Sequence, residues 1–129
     1  MSQIDQIISD VTGIATEKTK EITLDVTANL VESTPVETGW ARANWVPAIG
    51  AKSTPSSYSR KDVASQDAEQ QGRILNVAAN YTLDKGIVYV SNNVKYIRKL
   101  NNGYSKQEPA GFVKRAVVKA STEDQIVRN

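Results

Sequence analysis

The residues best suited to chemistry in this chain are cations and aromatics. Lys95, Tyr96, Arg98, Lys99, Tyr104 and Lys106 lie close together, and Lys114, Arg115 and Lys119 follow. Cations mixed with tyrosines suit phosphate contact and base stacking. They suit a contact with another protein equally well. Asp62, Asp67 and Glu69 form a group of acids whose simplest reading is a solvated helix face, not a metal site. No His and no Cys occur. That removes thiolate nucleophiles, disulfides and cysteine metal sites. It also removes the commonest general base, the usual zinc ligand and every His-dependent triad. Gly103-Tyr104-Ser105 is no nucleophile elbow, because no His can serve it. No phosphate loop or dinucleotide-binding glycine pattern appears. A hydrolase working with carboxylates alone is the remaining catalytic alternative, and no motif positions a pair of acids for it. The sequence predicts a chain that is not an enzyme, with no catalytic residue, no cofactor and no metal.

A chain of 129 residues fits one domain, here 1–129, with a modest core. Aromatics make up 6%, so Val, Ile, Leu and Ala must supply much of that core. No apolar run approaches the roughly 20 residues that span a membrane. Met1 to Asp10 carries two acids and no base, unlike a secretory signal. The expectation is a soluble protein made in reducing cytosol, with no membrane partner. The net charge of +2 is unevenly spread. Residues 1–38 hold two bases against seven acids, net −5, and residues 93–129 hold eight bases against three acids, net +5. Two readings stay open: opposite faces attracting within one subunit, or head-to-tail attraction between neighbours that closes a ring.

The elements that must position these residues follow from periodicity. Ile4, Ile7, Ile8, Val11, Ile14 and Ala15, then Ile22, Val26 and Leu30, recur at helical spacing. They predict one long helix over 3–34, or two separated by a kink near Gly13. Five Thr residues (Thr12, Thr16, Thr19, Thr23, Thr27) weaken its intrinsic preference, so the apolar stripe must pack against something. Pro35 ends the helix. Thr38-Gly39 is a turn, and Trp40 to Ile49 reads as a strand with Trp40, Arg42, Asn44 and Val46 on one face, its end limited by Pro47. Residues 50–60 read as a flexible polar loop. Asp62 to Asn76 reads as a helix, capped by Ser59 or Asp62, with Val63, Ala68, Ile74 and Leu75 on its apolar face. Val77, Ala79 and Tyr81 lead toward a strand, and Gly86 to Val90 is the strongest strand pattern. Ser91-Asn92-Asn93 is a turn. Val94 to Leu100 is a short helix or extended segment, and Asn101-Asn102-Gly103 is a further turn. Pro109 to Ala120 is a helix with Phe112, Ala116, Val117 and Ala120 as its apolar face, and about 121–129 is a frayed tail. The fold class is α+β: a long N-terminal helix, a small mostly antiparallel sheet, and further helices including a C-terminal one.

Two blocks stand apart. Residues 34–45 read Thr-Pro-Val-Glu-Thr-Gly-Trp-Ala-Arg-Ala-Asn-Trp. Residues 92–112 contain Asn93, Tyr96, Ile97, Leu100, Asn101, Gly103, Ser105, Gln107, Pro109, Gly111 and Phe112 in that order. Together they resemble the HK97 gp10-like family of tailed-phage neck and tail-completion (head–tail connector) proteins. In that family a Thr-Pro-Val-acid-Thr-Gly run precedes an Arg and an aromatic. A Tyr-Ile pair, a Leu-Asn-x-Gly turn, a Ser-x-Gln and a Pro-x-Gly-Phe helix start follow later. The chain departs from the pattern at Glu37, where Asp is usual, at Lys95, where Pro is frequent, and at Glu108, where Ala is frequent.

The resemblance covers roughly a quarter of the chain. It implies an α+β structural subunit of the virion, at the head–tail junction, assembled in the bacterial cytoplasm. It implies a homo-oligomeric ring, six-fold in preference to twelve-fold, bound to other neck, connector and tail proteins. Proximity to packaged DNA is left open. Trp40, Arg42 and Trp45 are the candidates for fold and local interface, and Tyr96, Arg98, Lys99, Tyr104 and Lys106 for contacts between proteins. Pro35, Gly39, Gly103, Pro109 and Gly111 are the structural turns. The alternative from residue types alone is a nucleic-acid-binding accessory protein using the basic C-terminal third.

Overall fold

The computed structural model describes residues 2–34, 39–52, 63–94, 97, 101–102 and 111–128, with side chains as far as residue 120. The architecture is α+β. Helix α1 spans Gln3–Ser33, α2 is the single turn Trp40–Ala43, and β1 is Val46–Ile49. Helix α3 spans Val63–Asn80, a 3-10 turn covers Leu83–Lys85, β2 is Val88–Ser91, and α4 spans Phe112–Arg128. The sheet has two antiparallel strands, with Val46 opposite Ser91 and Ile49 opposite Val88.

Helix α1 is continuous through Gly13 and, at 31 residues, about 46 Å long. Ser2 caps it, its Oγ accepting the Asp5 N–H at 3.1 Å, and Asp5 complements the positive end of the helix. The buried stripe is Thr16, Thr23, Thr27 and Leu30. Threonine is tolerated there because Thr23 and Thr27 donate their hydroxyls to the carbonyls of Thr19 and Thr23 at 2.8 Å. Thr16 Oγ1 instead accepts the Leu83 N–H at 3.1 Å, tying the helix to the 3-10 turn.

Helix α4 lies along α1. Leu30, Trp45, Phe112 and Ala116 form the main core between them, flanked by Val26, Val31, Val90, Ile97 and Val113. A second cluster joins Trp40, Ala41 and Val94, and Ile97 touches both. Helix α3 covers β1. The acidic first helix and the basic last one are thus neighbours within one chain. Favourable attraction between the two ends of the chain is available without a second copy.

Several elements differ from the sequence expectation. Trp40 to Ala43 is helical, and the strand begins only at Val46. Trp40 and Ala41 must both enter the core, and a helical turn starting from Gly39, at φ +73°, achieves this where an alternating strand would not. Helix α3 continues to Asn80 and absorbs Val77 and Ala79. Its buried side chains are Gln66, Gln70 and Val77, whereas Ala68 and Leu75 face solvent. Gly86 belongs to the end of the 3-10 turn at φ +92°, so β2 starts later than expected. Helix α4 runs on to Arg128, beyond the expected fraying point. Pro47 lies within β1, which is permitted because, among the described residues, β1 pairs on one side only. The expected loop at 53–60, the caps Ser59 and Asp62, and most of 94–100 lie outside the described residues.

Candidate protein–protein interface

The first sequence block folds into a hub at the end of α1. The last carbonyls of a helix have no partner inside it. Arg42 supplies one: its Nε and Nη2 donate to the Thr34 carbonyl at 3.3 and 3.2 Å, and Nη2 also donates to the Glu32 carbonyl at 3.1 Å. A cationic fork there also faces the negative end of the helix. Trp45 Nε1 donates to Thr34 Oγ1 at 2.7 Å, and that hydroxyl donates to the Leu30 carbonyl. Gln70, 1% exposed, donates from Nε2 to the carbonyls of Arg42 at 2.9 Å and Trp45 at 2.8 Å. Asn44 donates to the Trp40 carbonyl and to Gln66 Oε1. Trp40 and Trp45 are 7% and 6% exposed. Both indoles are buried within the chain, so this geometry serves the fold.

The second block is partly described. Asn92 donates from Nδ2 to the Ala41 carbonyl at 2.7 Å and accepts the Val94 N–H at 3.0 Å, linking the turn after β2 to α2. The resemblance points to Asn93 at this place, and the bond is made by its neighbour. Asn101 accepts the Val113 N–H on its side chain and the Gly111 N–H on its carbonyl. Gly111 stands at φ +83°, as a turn into a helix requires of a glycine. Trp45, Ile97, Asn101, Asn102 and Val113 line a pocket of about 250 Å³ between the two blocks. Tyr96, Arg98, Lys99, Tyr104 and Lys106, with the turn residues Pro35, Gly103 and Pro109, lie outside the described residues.

The surface feature that sequence reasoning did not assign is on α1. Ile4, Ile7, Ile8, Val11 and Ile14 are 59–69% exposed. They were expected to pack as part of the helix's apolar stripe, yet among the described residues nothing covers them. The body of the fold covers α1 from about Thr16 onward, where its burial begins. Residues 3–14, about 18 Å of helix, therefore lie beyond the described part of that body. The signal was present in the spacing, but spacing alone does not say whether the stripe meets its own chain or another. A smaller apolar patch, Val117 and Val118, sits on the outer face of α4 beside Lys114.

Among the described residues no helix is long and apolar enough to cross a membrane. No known protein family model, curated protein or solved structure matches this chain.

Proposed function

We propose that this chain is a non-catalytic structural subunit of a tailed bacteriophage particle, placed at the head–tail junction and assembling there as a ring. The ring joins the DNA-filled head to the tail, with six copies preferred over twelve. The observation that carries the reading is the exposed stripe of Ile4, Ile7, Ile8, Val11 and Ile14. A contiguous apolar strip of this kind on an exposed helix face marks an interaction surface. The two sequence blocks supply the phage assignment. Two tight hubs, at Arg42–Trp45 and at Asn101–Gly111, support it by giving those blocks a structural purpose in a rigid subunit. The mechanism is assembly: the subunit adds to a preformed surface, closes with sister copies, and presents a platform to the next component.

The test is removal and restoration. Particles made without this chain accumulate as separate filled heads and tails, and purified protein restores joining. Electron microscopy of intact particles then finds the chain between head and tail in a fixed copy number. Infectious particles that lack the chain would overturn the reading.

A further inference from the structure

We infer that the projecting tip of α1 is a self-association helix, with residues 4–14 of sister copies packing in parallel and in register along a seam of Ile4, Ile7, Val11 and Ile14. The inference rests on the assembly reading for the presence of sister copies, and it adds the surface and the geometry.

The spacing of the four seam residues is three, four, three. That is the alternation of a heptad seam, in which every first and fourth position faces the partner. All four are β-branched and more than half exposed. The next seam position is Lys18, which is half-buried against its own subunit, so the seam stops where the fold begins. Ile8 and Ala15 flank the seam on one side, and Gln3, Asp10 and Glu17 on the other.

This flanking pattern selects the orientation. In a parallel pair each residue of the polar flank faces the opposite flank of the neighbour, placing Gln3 near Ile8 and Asp10 near Ala15 with no like charges opposed. In an antiparallel pair that aligns the same seam, Asp10 meets Asp10, which is repulsive. Ile at both seam positions, with Ile8 widening the apolar face, favours more than two helices. The charge of the tip also argues against other occupants. Asp5 and Asp10 are its only charged residues before Glu17, and no base occurs there. Anionic lipid and nucleic acid would both be repelled.

The chain has no native cysteine, so single cysteines report proximity cleanly. Under mild oxidation the full-length Ile7→Cys protein forms a disulfide between identical positions, and Thr12→Cys, on the outer side of the helix, does not. In light scattering the wild type runs as a multimer. Ile7→Glu/Ile14→Glu keeps its helical circular dichroism, because both positions are exposed in the subunit, and associates at least tenfold more weakly. A double variant that keeps the wild-type mass would overturn the tip as the contact while leaving a ring built through another face. Mixing Ile4→Cys with Ile14→Cys tests the antiparallel alignment, and cross-linking there without any at Ile7→Cys would overturn the parallel register. A wild type that stays monomeric at tens of micromolar, or binds lipid vesicles through the tip as a monomer, would overturn the inference.

Discussion

The side chain of Asn101 accepts the Val113 N–H at 3.1 Å while its carbonyl accepts the Gly111 N–H at 2.6 Å. One residue thus satisfies two donors at the entry to α4, a role that usually falls to the residue just before a helix. Asn101 and Gly111 are separate points of the second sequence block, and the structure makes them one device. It directs α4 onto α1, where Phe112 and Ala116 enter the core.

Asn101→Ala removes the side-chain acceptor and is expected to lower stability by about 1–2 kcal/mol, the usual cost of losing such a cap. Asn101→Asp keeps an acceptor oxygen and adds charge at the positive end of the helix, so it retains most of the stability. Urea unfolding followed by circular dichroism measures both. Equal losses for the two variants would show that the side chain acts by packing and not as a cap.

A second prediction concerns Thr34 and Trp45. The indole N–H is buried and donates to the Thr34 hydroxyl at 2.7 Å. Thr34→Val leaves that donor without an acceptor inside the protein, at a cost of about 1–3 kcal/mol. Trp45→Phe removes the donor but also some packing, costing about 1–2 kcal/mol. The double variant is expected to lose less than the sum by about 1 kcal/mol, the signature of a direct interaction in a double-mutant cycle. Additive losses would mean that the two residues stabilise the hub independently.

The same hub shows where sequence reading succeeds and where it stops. The long helix α1 was legible because its spacing is sustained over many turns. The β2 strand was legible because Val88, Tyr89 and Val90 suit no other element as well. The turn at Trp40–Ala43 was not. Alternating large and small residues satisfy a strand pattern, and only the positive φ of Gly39 and the need to bury Trp40 and Ala41 together decide for a helix. Gln66 and Gln70 were illegible for a different reason. They are polar, so they read as surface, yet they occupy the inward face of α3, where Gln70 donates to the buried carbonyls of Arg42 and Trp45 and Gln66 accepts from the Asn44 side chain. The exposed tip of α1 was legible as an apolar stripe, but helical spacing alone does not say what such a stripe packs against.

Gln70→Leu tests this view of α3. The substitution keeps most of the volume and would be favourable if the position only needed to be filled. It removes both donations, to the carbonyls of Arg42 and Trp45. Leaving buried carbonyls unpaired costs about 1–3 kcal/mol. Thermal unfolding is therefore expected at a lower temperature in Gln70→Leu than in the wild type. Gln70→Glu loses the same donations and, with its charge beside two carbonyls, is expected to be destabilised further. A Gln70→Leu protein as stable as the wild type would show that the carbonyls find other donors.

The basic C-terminal third supplies the last prediction. Lys114 and Lys119 are exposed on α4, and the net charge of the whole chain is only +2. A protein that works by reading nucleic acid would need a strong, salt-dependent attraction to phosphate. A subunit that works by docking does not. Fluorescence anisotropy with labelled duplex DNA is expected to show only weak binding that fades between about 50 and 200 mM salt, the range over which phosphate contacts lose most of their strength. Lys114→Glu/Lys119→Glu is expected to abolish that residue of binding and leave the multimer mass unchanged, since the proposed contact between copies lies on α1. Tight binding that survives at the higher salt, and is lost in the double variant, would favour the nucleic-acid reading instead. The contrast is informative because the two faces are separate: charge reversal on α4 leaves the isoleucine seam intact, and the α1 tip variants leave the cations in place.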